Sequence, residues 1–160
     1  MDRLREELSR DEGRRLSAYR DSAGFWTIGV GHLLGPGTQP RMSAITDAEC
    51  DALLDYDIKV AEAAARRVFD VGIGINANMW VLLDNVRQRA LVNMAFNRGE
   101  KHMSESTTIT PAIRYALVAT FNQEDAWEKV AAAILASPWA AQIGARATRL
   151  ATMLQTGQET

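Results

Sequence analysis

The sequence predicts a mainly helical α+β protein in which a small N-terminal β-hairpin lobe and a helical C-terminal lobe are joined by a long helix. Strand-forming residues cluster between residues 16 and 32, where they flank the turn sequence at 21–24. Most of the remaining chain carries apolar residues at helical spacing. With 160 residues, 47% of them apolar, the chain is large enough for one domain with its own core.

The N-terminal elements are a short helix and the hairpin. Leu4 and Leu8 lie one helical turn apart among charged residues, which predicts an amphipathic helix over residues 2–12 that ends at Gly13. The hairpin follows within a small lobe that we place at about 13–45.

The long connecting helix is predicted from its start signal. An irregular loop rich in glycine and proline occupies 35–40, and Thr46 with Glu49 three residues later forms a capping box. We therefore expect the connecting helix at about 46–69.

The helical lobe is predicted at about 76–160, after a break at Gly72 and Gly74. A helix over 79–98 should bend near Asp84 and end at Gly99. The segment 101–110 is polar and without a pattern, like an insertion. Capping residues and apolar periodicity predict four further helices. One starts near Pro111 after Thr110, and another starts near Pro138 after Ser137. The other two span 124–136 and 145–156, the last of which ends before Gly157.

Composition excludes several classes of protein. Cys50 is the only cysteine and the chain has two histidines, so neither an internal disulfide nor a structural zinc site is expected. A net charge of −2 at pH 7 argues against a nucleic-acid partner. No apolar run approaches the ~18 residues of a membrane span, and the charged residues of 1–10 predict no secretory signal. We expect no cofactor.

Two carboxylate residues near the N-terminus are candidates for a catalytic role. Glu12 precedes Gly13 at the predicted helix end, and Asp21 lies nine positions later in the hairpin turn. Hydrolysis of a glycosidic bond needs one protonated carboxyl group to give the leaving oxygen its proton and one ionised carboxylate to orient or deprotonate a water. Spacing alone leaves a purely structural role open for both residues.

The run from Glu12 to Leu34 carries a longer signature. It contains Glu-Gly, then Tyr-x-Asp, then Thr-Ile-Gly-x-Gly-His, and in this order and spacing it closely resembles the phage-type lysozymes of glycoside hydrolase family 24. The resemblance continues through the segments 83–87, 90–96, 137–139 and 146–149, so it covers most of the chain and implies a lysozyme-like fold.

The resemblance implies roles for individual residues. The general acid of the family falls on Glu12, the carboxylate that positions the water on Asp21, and the third catalytic residue on Thr27. The arginine that meets the catalytic glutamate falls on Arg146.

Further positions support the site. The resemblance places a histidine and aspartate pair on His32 and Asp57, and an ion pair should lower the pKa of the aspartate. Two positions that line the sugar cleft between the lobes fall on Leu33 and Phe96. A cleft asparagine of the family aligns with Ala133, which is a departure from the pattern.

The activity implied by the resemblance is hydrolysis of the β-1,4 bond between N-acetylmuramic acid and N-acetylglucosamine in bacterial peptidoglycan, with inversion at the anomeric carbon. The whole chain, 1–160, is then a single catalytic domain and is expected to be a monomer. An endolysin of this type would stay in the host cytoplasm until a holin releases it to the cell wall.

Two other functions remain open. A lytic transglycosylase cuts the same bond without water, although the presence of both Asp21 and Thr27 favours the hydrolase. The second alternative is a catalytically silent wall-binding protein. The acidic net charge favours this alternative slightly, because anionic walls usually recruit basic enzymes.

Glycines and aromatic residues have simpler interpretations. The glycine-rich stretch at 29–35 lacks the spacing and the strand and helix context of a dinucleotide-binding loop. Three tryptophans lie at helical positions and are predicted to be core residues: Trp80, Trp127 and Trp139. Phe25 and Trp26 in the hairpin could serve either the core or sugar contacts.

Overall fold

A computed structural model describes residues 2–70, 79–119 and 123–160. Among these residues it contains seven α-helices and a small antiparallel sheet, which confirms the mainly helical α+β class. The chain divides into two compact units, Met1–Val60 and Ala61–Thr160. The predicted break at Gly72 and Gly74 lies outside the described residues.

The first unit contains a helix and a three-stranded sheet. The elements are α1 (Asp2–Glu12), β1 (Arg15–Arg20), β2 (Trp26–Gly29) and β3 (His32–Gly35), and the strands pair antiparallel in the order β1-β2-β3. The boundaries of α1 agree with the prediction. An isolated bridge between Ser17 and Ala44 adds a further backbone contact to β1.

The structure contains a third strand, β3, in addition to the predicted two-stranded hairpin. Val30 and Gly31 connect β2 to β3, and Gly29 and Gly31 have φ angles of 67° and 70°. Such positive values suit glycine because it lacks a Cβ atom. The four residues from His32 therefore turn back and pair with β2 instead of continuing into a loop.

Helix α2 (Asp47–Asp70) begins at the predicted capping box. The amide of Thr46 donates to Glu49 Oε2 at 2.7 Å, and the amide of Glu49 donates to Thr46 Oγ1 at 3.2 Å. The hydroxyl of Thr46 also donates to Glu49 Oε2, at 2.9 Å, and the bonds that the carboxylate accepts from the amide and the hydroxyl of Thr46 lower the pKa of Glu49. Arg14 also holds this helix end, since it donates to Asp47 Oδ1 at 3.0 Å and to Asp51 Oδ1 at 2.9 Å.

The regular secondary structure in the described residues of the second unit is entirely helical. After a 3₁₀ turn at Met79–Leu82 it contains α3 (Asn85–Ser104), α4 (Ile109–Val118), α5 (Gln123–Leu135), α6 (Pro138–Ile143) and α7 (Ala145–Thr156). Helix α5 packs against α4 and α7. The fully buried side chains here include Leu91, Met94, Ile113, Ile134, Leu150 and Leu154.

The segment around α3 differs in detail from the prediction. Asp84 is the N-cap of α3 and accepts from the amide of Arg87, so the expected bend is a break between the 3₁₀ turn and the helix. Gly99, with φ 72° and ψ 160°, interrupts the helix where an end was predicted, but helical structure continues to Ser104. The segment 101–110, to which no helix was assigned, therefore begins with four helical residues, 101–104.

The predicted cap of α4 is also wrong. The helix begins two residues earlier, at Ile109, and its N-cap is Thr108, whose side chain makes no capping bond. Thr110 lies inside the helix, where its buried hydroxyl donates to the carbonyl of Met103 at 2.6 Å. This partner lies seven residues away, so local sequence preferences could not reveal it.

Helices α6 and α7 begin where the sequence predicted, and α7 also ends at the predicted residue. Ser137 accepts from the amide of Ala140, with Pro138 in the first turn of α6. Helix α7 stops at Gly157, which has φ 67°. Trp80, Trp127 and Trp139 are buried, as predicted. In the described part of the chain, no helix combines the length and hydropathy that crossing a membrane requires.

Candidate active site

Glu12 is the last residue of α1 and lies against the backbone of Gly31. Gly13 ends the helix with φ 75°, and its amide donates to the carbonyl of Ser9 at 3.0 Å. A Cβ atom at Gly31 would lie 3.3 Å from Glu12 Cγ and 3.4 Å from Glu12 Oε2. The missing side chain of Gly31 thus makes room for the carboxyl group of Glu12.

Asp21 follows β1 and is held by its own turn. Its Oδ1 atom accepts from the amides of Ala23 at 2.9 Å and Phe25 at 2.8 Å. The backbone closes the same turn, because the amide of Asp21 donates to the carbonyl of Phe25 and the amide of Gly24 donates to the carbonyl of Asp21. One carboxylate oxygen is therefore fixed by two backbone donors.

Thr27 lies in the middle strand of the sheet and is 4% exposed. It pairs with Tyr19 on β1 and with Leu33 on β3. Its hydroxyl donates to the carbonyl of Phe25 over 3.4 Å, which is a long and weak bond. Thr27 thus lies in the strand next to β1, which Asp21 directly follows.

Tyr19 lies close enough to both Glu12 and Asp21 for their charges to affect its phenol. Burial raises the pKa of its phenol, and the negative charges of Glu12 and Asp21 raise it further, while Arg15 opposes them. The guanidinium carbon of Arg15 lies 4.4 Å from the centre of the Tyr19 ring. Neither Tyr19 nor Gly31 was predicted as a site residue, although both belong to the quoted motifs.

His32 and Asp57 make the expected contact, with 2.8 Å between His32 Nδ1 and Asp57 Oδ2. The expected direction of the aspartate pKa is wrong. Burial raises the pKa of Asp57, and the hydrogen bond and charge of His32 offset only part of that rise. The cause is desolvation, which disfavours the charged carboxylate.

Leu33 and the two hairpin aromatics are accessible to different degrees. Leu33 is 60% exposed, which is high for a large apolar side chain. Phe25 is 40% exposed, and Trp26 is half-buried beneath Arg20. Neither hairpin aromatic is a core residue of the kind found at Trp80 and Trp127.

The remaining predicted residues belong to the helical unit. Arg146 on α7 is buried, and its Nε atom donates to Asn93 Oδ1 at 2.8 Å. Asn93 itself is 1% exposed and was not singled out as a site residue. Phe96 lies half-buried on α3. The roles assigned to Arg146 and Phe96 stay predictions.

Within residues 2–70, 79–119 and 123–160, no group of three or more His, Cys, Asp or Glu residues could hold a metal ion. Cys50 is buried, and this burial raises the pKa of its thiol.

Glu12 ends α1 and Asp21 follows β1, so the first unit supplies two carboxyl groups of the kind that glycosidases use. The comparisons agree with that class. The family model described as phage lysozyme matches residues 9–146. The chain therefore belongs to the phage lysozyme family, whose members hydrolyse bacterial peptidoglycan.

Individual relatives are consistent with the family. The chain is 25% identical over 174 residues to the probable T4-type lysozyme 1 of Dictyostelium discoideum, covering 96% of this chain and 94% of that protein. It is 35% identical over 105 residues to the SAR-endolysin of Escherichia phage Mu, covering 66% and 54% of the two chains. It is 34% identical over 105 residues to the endolysin of Salmonella phage P22, covering 64% of each.

Proposed function

We propose that this chain cleaves the β-1,4 bond between N-acetylmuramic acid and N-acetylglucosamine with inversion at the anomeric carbon. Glu12 donates a proton to the leaving oxygen, and Asp21 holds the attacking water on the opposite face of the sugar. Thr27 helps to place that water. The proposal deepens the family assignment, which by itself establishes only a peptidoglycan-degrading glycosidase.

The observation that carries this proposal is the fixed carboxylate of Asp21. Its Oδ1 atom is occupied by the amides of Ala23 and Phe25. Neither of these bonds uses Oδ2, so the second oxygen can accept a hydrogen bond from a water without losing its orientation. A preoriented acceptor of this kind lowers the cost of positioning the water in the transition state.

Glu12 is suited to the acid role by its surroundings. Glu12 is half-buried, its side chain lies against Gly31, and its charge is close enough to Tyr19 to raise the pKa of that phenol. We assign Leu33 and Phe96 to contacts with the sugar chain and Arg146 to the electrostatic support of Glu12. His32 and Asp57 support the sheet rather than the reaction.

The biological setting is proposed from the family. As an endolysin, the chain acts as a monomer that reaches the wall from the host cytoplasm after a partner holin opens the membrane. Its release should then depend on that holin, and coexpression with and without a holin gene, followed by turbidity, tests this part separately from catalysis.

The products test the reaction. Purified peptidoglycan is digested, proton NMR of the new reducing ends is recorded before mutarotation, and mass spectrometry follows. Inversion requires the α-anomer first, together with the mass of added water, and it needs carboxyl groups ~6.5 to 9.5 Å apart. A first-formed β-anomer would remove the water-positioning role of Asp21.

Two controls separate the alternatives. Glu12→Gln should give no product while its unfolding transition stays that of the wild type, because an amide cannot donate the required proton. Anhydro-sugar ends would instead identify a lytic transglycosylase. Binding to sacculi with no cleavage by the wild type would identify a silent wall-binding protein.

A further inference from the structure

We propose that Arg20 is a positioning residue for Asp21, acting through the peptide group that joins Gly24 to Phe25. The inference rests on the proposed role of Asp21. Arg20 Nη1 donates to the carbonyl of Gly24 at 2.5 Å. The amide of Phe25, which belongs to the same peptide group, donates to Asp21 Oδ1 at 2.8 Å.

This peptide group is therefore held from both sides. A trans peptide is planar, with its C=O and N–H pointing in opposite directions. Fixing the carbonyl of Gly24 with a cation thus fixes the direction of the Phe25 N–H that orients Asp21. The charge also polarises the peptide group, which strengthens the bond that its N–H makes on the other side.

The guanidinium of Arg20 is itself anchored at two further points. Its Nη2 atom donates to the carbonyl of Gly37 at 2.6 Å, and its guanidinium carbon lies over the Trp26 ring, 4.5 Å from the ring centre. Trp26 Nε1 donates to the same carbonyl of Gly37 at 3.1 Å. Arg20 thereby connects the Asp21 turn to the chain that follows β3.

A lysine cannot reproduce this arrangement. The contacts require two nitrogen donors in one plane, directed at Gly24 and Gly37, and a flat face against Trp26. The guanidinium group supplies that geometry, whereas an ammonium group is a compact charge without a plane. The charge of Arg20 alone is therefore insufficient, and Arg20→Lys separates charge from geometry.

The test measures kcat and KM of Arg20→Lys on a short peptidoglycan fragment, together with amide hydrogen exchange by NMR. We expect kcat to fall about 5- to 20-fold with KM within about twofold, because misplacement of a catalytic group lowers the rate of reaction. The amide of Phe25 should exchange faster than in the wild type, while the amide of Cys50 in α2 keeps its rate. The catalytic effect is expected to be smaller in Trp26→Phe, which keeps a ring but loses the bond to Gly37.

A matched control is Arg67→Lys. Arg67 also uses two nitrogens, which donate to Glu100 at 2.9 and 2.7 Å, but it lies on α2 in the helical unit. This variant should keep the wild-type kcat and the wild-type exchange rate of the Phe25 amide.

Several outcomes would overturn the inference. Wild-type kcat and Phe25 exchange in Arg20→Lys would show that the peptide group does not need the arginine. A rise in KM with unchanged Phe25 exchange would make Arg20 a substrate contact instead. If Asp21→Asn retains the wild-type kcat, the proposed function fails; if only Asp21→Asn is impaired, the role of Arg20 alone fails.

Discussion

Gly31 is a residue whose missing side chain is required at the site. Its φ of +70° favours glycine, and a Cβ atom would meet Glu12 Cγ at 3.3 Å. We predict that Gly31→Ala loses ~1 to 2 kcal/mol of stability from the backbone strain. It should also lose about tenfold in kcat because Glu12 is displaced. Urea melts and initial rates on peptidoglycan measure the two effects.

Gly99 provides the control for Gly31. It has a similar φ of +72°, and apart from its own chain neighbours and helix backbone no atom of the described residues lies within 4 Å of an added Cβ. Gly99→Ala should therefore lose stability and keep the wild-type kcat. Equal losses of kcat in the two variants would mean that strain, and not the contact with Glu12, explains the effect.

Asp57 illustrates a competition between burial and pairing at one residue. Its pKa is raised because burial outweighs the bond from His32. A carboxyl group with a raised folded pKa stabilises the fold fully below its unfolded value of ~3.9, and this contribution is lost as pH rises through the folded value. We predict that wild type loses stability relative to Asp57→Asn as pH rises through this range.

Urea melts of both proteins between pH 3.5 and 7 measure that difference. Comparing the two proteins at each pH cancels the titration of the other carboxyl groups, which they share. An increase in the relative stability of the wild type with pH would show that the attraction of His32 exceeds the cost of burial.

Among the elements, helix α2 depends on its capping box. Thr46→Ala removes the hydroxyl that accepts from the amide of Glu49 at 3.2 Å, and we predict a loss of ~1 kcal/mol in the free energy of unfolding. Thermal melts at pH 7 measure this loss. Thr38→Ala, at an exposed loop position, is the matched control and should keep the wild-type melting temperature.

The predictability of the elements follows the range of the interactions that define them. The start of α2 at Thr46 and the end of α7 at Gly157 were predicted, because caps depend on residues within one helical turn. Strand β3 was not predicted, because it depends on pairing with β2. The early start of α4 was not predicted either, because it depends on the bond from Thr110 to Met103. Such partners are not encoded in a local pattern.

The candidate site follows the same rule. Glu12, Asp21 and Thr27 could be proposed from one continuous motif; Asp21 directly follows β1, and Thr27 lies on the adjoining strand β2. The positioning role of Arg20 could not be proposed from the sequence, since its partner Gly37 is 17 residues away. The raised pKa of Asp57 also depends on burial, which the fold determines.

At the scale of the whole molecule, charge should control access to the wall. The net charge is −2 at pH 7, so an anionic wall weakly repels the enzyme. Salt screens such repulsion, with a Debye length that falls from ~30 Å at 0.01 M to ~10 Å at 0.1 M. We therefore predict that the rate of sacculus lysis rises with NaCl over this range, as measured by turbidity.

Charge variants test the sign of this effect. Glu105 and Glu128 are exposed, and converting both to lysine changes the net charge from −2 to −2 + 4 = +2. The lysine variant should lyse sacculi faster at low salt and slow down as NaCl is added, because salt now screens an attraction. Converting both to glutamine gives −2 + 2 = 0 and should leave lysis nearly independent of salt. The same salt response in all three proteins would mean that net charge does not govern the approach to the wall.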